Sequence, residues 1–283
     1  MTQVKIMNQK NDDTDHQGPW ALVTGASAGI GAEFCRQLAG KGYRLVLVAR
    51  RKDKLQSMAD ELRGTHGAQS LLIAADLSRQ DACEAIVRRL EQENIDIEYL
   101  VNNAGYGLPG SFHVPDWQEH TDFIQVMMTA VCELTWRLLP AMQARGRGFI
   151  VNVASVAGLV PASAGHTLYG ASKSFLIKFS EALALENAQN GVKVCALCPG
   201  FTYSEFHDVN GTREMISQLP EFLWLDASDV VADTIREMSA RKVKPVLIPG
   251  RQYKAIIFAN RYLPWLANIL TRRTAKHFRV TDK

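Results

Sequence analysis

No stretch of this chain stays apolar long enough to cross a bilayer, and no apolar run follows a positively charged start. Neither a membrane span nor a cleaved signal peptide is expected. Charge of one sign is scarce as well: 32 Lys and Arg against 29 Asp and Glu leave a net +3. With no basic excess and no stripe of interleaved basic and aromatic residues, no nucleic-acid partner is expected. The five cysteines (Cys35, Cys83, Cys132, Cys195, Cys198) are odd in number and scattered. They suit reduced thiols in a cytoplasmic protein better than a disulfide framework. Cys195 and Cys198 have metal or redox spacing, but they end an apolar stretch and lack a second ligand pair, so core packing is expected and no metal site. Internal repeats, low-complexity tracts and Pro/Ser-rich linkers are missing too, which makes one domain the economical organisation for 283 residues.

What is present is a rhythm. After a polar, aperiodic stretch over residues 1–17, expected to be a loose tail, short apolar runs alternate with longer amphipathic ones. The runs 21–24, 45–49, 71–75, 99–102, 149–154, 192–197 and 246–248 read as buried strands. Segments 30–39, 52–63, 79–93, 117–145, 168–189 and 228–240 read as helices. The pattern predicts a single doubly wound α/β domain of the Rossmann type over residues 18–250, with a seven-stranded parallel sheet covered on both faces. Two segments break the rhythm. Residues 201–224 are long and aromatic, as a lid would be. Residues 251–283 form an extension that reads as helical over 251–279 and ends in a basic cluster.

Tyr169 and Lys173 are four apart, so on a helix they share a face. A phenol titrates near ~10, and a nearby ammonium is expected to favour its phenolate and lower that value. Such a tyrosine can exchange a proton with an alcohol oxygen, and Ser155 can hold that oxygen by hydrogen bond. These are the polar parts of carbonyl reduction, provided a cofactor brings the hydride. Upstream, Thr24-Gly25-Ala26-Ser27-Ala28-Gly29-Ile30-Gly31 follows the first strand and opens the first helix. Glycines there permit a tight turn and close approach of a pyrophosphate to the helix N-terminus. The second strand ends in Arg50 and Arg51 rather than an acid. Arginine suits a 2′-phosphate, so NADP is expected over NAD.

With these motifs in order, residues 20–248 resemble the short-chain dehydrogenase/reductase family. The resemblance carries over Gly25, Ser27, Ala28, Gly29, Ile30 and Gly31 as the cofactor glycine motif. It makes Asp76, with Leu77 beside it, the adenine-side acid. It also assigns Asn103, Ala104 and Gly105 of the Asn-Asn-Ala-Gly motif to the adenosine side. Pro199, Gly200 and Thr202, with Ser204 after them, match the segment that lies against the nicotinamide. The resemblance implies that Tyr169 is general acid in reduction and general base in oxidation. It further implies that Lys173 binds the nicotinamide ribose and lowers the tyrosine's pKa, and that Ser155 orients the carbonyl.

One family residue is replaced: Met127 stands where an asparagine usually holds a relay water through its backbone carbonyl. The Ser155–Tyr169 segment also carries one extra residue. Looser similarity to the 3-oxoacyl and hydroxysteroid reductases implies a bulky apolar ketone or alcohol as substrate. Phe201, Tyr203, Phe206 and Trp224 either line its pocket or form the core of a small cap. His113 and His166 receive no role. Relatives imply a homodimer or homotetramer through the two long helices. The C-terminal extension is expected to pack on its own domain or a second subunit, with membrane contact as the alternative. A cofactor-binding regulatory protein, or an epimerase or dehydratase on the same scaffold, are the competing readings.

Overall fold

The computed structural model describes residues 18–108, 110–162, 164–165, 167–203 and 220–262. The expected tail over 1–17, His166, Ser204, Phe206 and the extension beyond residue 262 lie outside these. Seven parallel strands form one sheet in the order β3-β2-β1-β4-β5-β6-β7. They are β1 (Trp20–Thr24), β2 (Arg44–Ala49), β3 (Ser70–Ala74), β4 (Ile97–Asn102), β5 (Gly148–Val153), β6 (Val192–Leu197) and β7 (Val246–Leu247). Most residues of β1, β2, β4, β5 and β6 are buried from both sides, β1 completely, which is why these strands read as apolar runs rather than alternations. The strand β3, at the sheet's edge and expected to be buried, is only partly so.

Helices α1 (Gly29–Ala39) and α2 (Lys52–His66) share one face of the sheet with the later helix α7 (Ala227–Ser239). On α2 the buried residues Leu55, Met58, Ala59 and Leu62 recur at helical spacing and form one stripe. The opposite face carries α3 (Ala82–Gln92), α4 (Trp117–Ile124), α5 (Ala130–Arg145) and α6 (Thr167–Glu186). A last described helix, α8 (Arg251–Tyr262), follows β7 and buries only Tyr253. No described helix is long and apolar enough to cross a membrane.

The helical segment read over 117–145 runs through those same residues as α4 and α5, joined by one π turn. Asp116 and Glu119 start α4 with a reciprocal capping box, each side chain accepting from the other's backbone N–H. Between α4 and α5 the chain widens into one π turn, Gln125–Thr129, and Met127 sits inside it. Periodicity cannot announce such a turn, since one wide turn barely disturbs the apolar spacing. π turns of this kind concentrate at functional sites.

The strand order reverses between β1 and β4, each running outward on its own side. The loops leaving their carboxyl ends part there and open a crevice. Every motif singled out in the sequence leaves the sheet at this edge.

Candidate active site

The glycine loop lies at that crevice, between β1 and α1. Gly25 has φ 67°, a conformation that side chains with a Cβ rarely adopt. At Gly31 space decides: an added Cβ would lie 2.2 Å from the Gly25 carbonyl oxygen and 2.4 Å from Asn103 Nδ2. The first turn of α1 has no side-chain cap and no acid, which leaves its N–H groups suited to an anion. Asn103 and Thr24 brace the loop from the β4 side. Asn103 Nδ2 donates to the carbonyls of Thr24 (3.0 Å) and Gly25 (3.3 Å). Thr24 Oγ1 accepts from the backbone of Asn103 and Ala104, both at 3.0 Å. These contacts give the Asn-Asn-Ala-Gly motif a physical duty: it ties the fourth strand to the glycine loop.

Arg50 and Arg51 lie exposed at the end of β2, and Arg51 Nη2 reaches Ser27 Oγ in the glycine loop (3.3 Å). Asp76 accepts from both the backbone N–H and the hydroxyl of Ser78, which fixes its turn, and Leu77 beside it is buried. Burial pushes the Tyr106 hydroxyl up to about 12, with smaller effects from the charges of Asp122, Arg50 and Asp76. Tyr106 therefore marks a point within electrostatic reach of both Arg50 and Asp76. This loop, the free helix terminus and the flanking arginines suit a phosphorylated dinucleotide.

On the other side of the crevice, Ser155 follows β5 in extended backbone. Its Oγ accepts from Ala157 N–H (3.1 Å) and donates to the Pro199 carbonyl (3.5 Å). Tyr169 lies in the first turn of α6, half-buried, and its hydroxyl hydrogen-bonds with Ser155. Lys173, one turn on, is 5% exposed. Its Nζ donates to the Val153 carbonyl (2.7 Å) and stands 5.6 Å from the Tyr169 ring centroid. The three side chains are thus gathered at one place beside the Pro199–Gly200 turn.

The electrostatics differ from the sequence-based expectation. Burial pushes the Tyr169 phenol up to about 12, and only its bond with Ser155 pulls it back down. Burial also brings Lys173 down to about 8. Desolvation dominates at both groups, and the ammonium is held by the Val153 carbonyl and stands off the ring. The tyrosine is not made acidic by its neighbour; it is kept protonated.

This has a consequence for stability. A lysine whose folded pKa lies below its ordinary 10.5 carries a charge that opposes folding below about pH 8. That opposition fades as the pH rises from about 8 towards 10.5, because the unfolded chain then holds the extra proton. Chemical denaturation of wild type and Lys173→Met should therefore show the wild type gaining on the variant across this window, by up to about 1.4 kcal/mol per pH unit. A difference that stays flat with pH would contradict it.

Met127 is fully buried and points its sulfur at Gly105, where an added Cβ would lie 2.8 Å from Sδ. A thioether fills the space under the Asn-Asn-Ala-Gly loop, so any polar contact from this position must come from the backbone of the π turn. Past β6, Thr202 is buried and bridges Leu225, so the two ends of the long 201–224 segment are pinned together. Phe201, Tyr203 and Trp224 pack on one another there, with Tyr203 stacked on Trp224 at 4.7 Å between centroids.

Two side chains at this edge carried no local signal in the sequence. Tyr253 of α8 is buried; its hydroxyl accepts from the Phe201 N–H (2.9 Å) and donates to the Leu223 carbonyl (2.5 Å). His120 of α4 is buried, with Nε2 donating to the Phe112 carbonyl (2.8 Å) and Nδ1 without a partner among the described residues. It lines a small recess with Phe112, Pro115, Thr167 and Leu168, next to Tyr169 in sequence. His113 is exposed and does not join that recess.

Residues 19–214 match the family model described as short chain dehydrogenase. The chain belongs to the short-chain dehydrogenase family. Among curated relatives, the very-long-chain 3-oxoacyl-CoA reductase-A of Danio rerio is 36% identical over 188 residues, 65% of this chain and 58% of that protein. The 17-beta-hydroxysteroid dehydrogenase type 3 of Mus musculus is 36% identical over 185 residues, 64% of this chain and 59% of that one. The matched stretch thus spans under two thirds of either relative's length. A solved short-chain dehydrogenase from Sphingobium yanoikuyae, in complex with NADPH, superimposes with a TM-score of 0.76 at 33% identity, covering 87% of this chain and 95% of that one.

Proposed function

We propose that this short-chain dehydrogenase moves hydride between NADP(H) and a carbonyl or secondary alcohol of a bulky apolar substrate, such as a 3-oxoacyl or steroid-like ketone. The observation that carries the reading is the hydrogen bond between the Tyr169 and Ser155 hydroxyls at the sheet's carboxyl edge, with Lys173 one turn away. NADPH, when bound, supplies the hydride. Gly25, Ser27, Ala28, Gly29, Ile30 and Gly31 would hold its pyrophosphate, and Arg50 and Arg51 its 2′-phosphate. Asp76, Leu77, Asn103, Ala104 and Gly105 would flank the adenosine. Pro199, Gly200 and Thr202 would lie against the nicotinamide, and Lys173 would meet its ribose.

Ser155 donates to a carbonyl oxygen, or accepts from an alcohol hydroxyl, and fixes its direction. Tyr169, protonated at neutral pH, gives that oxygen its proton as the carbonyl is reduced. Met127 leaves the π-turn backbone to steady a relay water towards Lys173. A Met127→Asn variant tests this through the pH dependence of turnover.

The NADPH absorbance, followed with long-chain 3-oxoacyl thioesters and ketosteroids, tests the activity itself. A chain that binds NADPH yet consumes none with any ketone would be the regulatory protein instead. The cofactor preference has its own test. Replacing Arg50 and Arg51 together by Ala should raise the KM for NADPH by about 10–10²-fold and barely move that for NADH. An equal rise for both cofactors would remove the arginines from the 2′-phosphate.

Self-association through the long helices is supported by two large apolar side chains left in solvent, Trp136 on α5 (70% exposed) and Leu185 on α6 (79% exposed). Equilibrium sedimentation reads the mass directly.

A further inference from the structure

The small net charge conceals a division. Residues 251–283 hold eight of the 32 Lys and Arg but one of the 29 Asp and Glu, which leaves 24 basic against 28 acidic residues in the rest. An acidic body therefore carries a strongly basic terminal segment. Its described part, α8, contains no acid at all and buries only Tyr253. Lys254, Phe258, Arg261 and Tyr262 follow one another at i, i+4, i+7 and i+8, so they share the outward face. Phe258 and Tyr262 are each 61% exposed, with ring centroids 4.8 Å apart. Arg261 lies over the Tyr262 ring at 5.8 Å. Beyond α8 the sequence continues in the same character, with Trp265, Leu266, Ile269 and Leu270 and then Arg272, Arg273, Lys276 and Arg279.

From these features we infer that α8 docks the protein on an anionic lipid surface. Aromatic rings beside cations are what the headgroup boundary accepts: rings enter the interface while lysine and arginine meet lipid phosphates and carboxylates. A second copy of this chain fits the face poorly. A two-fold contact would set Lys254 and Arg261 of one copy against those of the other with no acid on α8 to offset them. The position of α8 also bears on the mouth of the crevice. Gln252 Nε2 donates to the Phe222 carbonyl (3.0 Å), and Tyr253 holds Phe201 and Leu223. Phe222 itself is 66% exposed beside the first turn of the helix. A docked α8 would hold this aromatic mouth close to lipid.

The test needs no catalysis and so stands apart from the oxidoreductase reading. The full chain is sedimented with vesicles of phosphatidylcholine alone and of phosphatidylcholine with one part in three phosphatidylserine, at low and at high salt. Binding is expected to the anionic vesicles and to weaken with salt. Lys254→Gln with Arg261→Gln should lower the partition by about fivefold per cation removed. Phe258→Ser with Tyr262→Ser should lower it at least as far, and because all four side chains are at the surface, the melting temperature should not fall. No sedimentation with anionic vesicles at low salt would overturn the inference. So would binding that ignores both pairs of substitutions, or a loss of oligomer mass in the Phe258 and Tyr262 variant without any change in lipid binding.

Discussion

Replacing Tyr169 by Phe is expected to lower NADPH-dependent ketone reduction by about 10²–10⁴-fold, the usual worth of a positioned proton donor. The substitution keeps the ring packed in the first turn of α6 and removes only the hydroxyl that meets Ser155. Cofactor binding, read by fluorescence titration with NADPH, should be nearly unchanged. The size of the loss should also be level with pH over the neutral range. Burial keeps the phenol protonated up to about 12, so the acid form is the resident one throughout. Full activity in the phenylalanine variant would move the proton donor elsewhere. A collapse of NADPH affinity would instead make the tyrosine a binding residue.

The second large effect is expected at the contact between Gly200 and Tyr253. A Cβ on Gly200 would fall 1.9 Å from Tyr253 Cζ and 2.1 Å from Cε2. The ring lies directly on the backbone of the Pro199–Gly200 turn, and it is buried, so it cannot simply swing aside. Gly200→Ala should displace it. Overpacking of this kind costs about 1–3 kcal/mol. The hydrogen bonds to Phe201 and Leu223 would be broken as well, at about 1–3 kcal/mol for each buried group left unpaired. Tyr253→Phe isolates the second part, since it keeps the ring and removes the hydroxyl. Thermal unfolding should rank wild type above Tyr253→Phe, and that above Gly200→Ala. The KM for substrate should rise in the same order, because the turn carries Phe201 and Thr202. An alanine variant as stable as wild type would show that the turn yields freely.

These two sites differ in how far the sequence announces them. Tyr169 and Lys173 are neighbours on one helix, and Ser155 is a short step upstream, so spacing alone suggests a shared face. The strands were equally legible, most of them to within a residue or two, because a doubly covered parallel sheet demands apolar runs. Tyr253 and Gly200 are fifty-three positions apart, and no local pattern links them. Only the return of α8 onto the turn after β6 makes them partners. The π turn at Met127 was hidden for another reason: it adds width to a helix without changing which residues are apolar. The direction of the Tyr169 shift escaped because it depends on how much water both groups lose. Composition and spacing carry no measure of that.

The brace formed by Asn103 and Thr24 bears on what happens when a dinucleotide arrives. Its four hydrogen bonds hold the glycine loop to the fourth strand through the protein's own atoms, so the loop's shape is settled during folding. Fixing a residue's backbone costs about 1–2 kcal/mol of chain entropy. Here four hydrogen bonds within the protein bear that ordering, and on the proposed reading a diphosphate would be received as a lock receives a key.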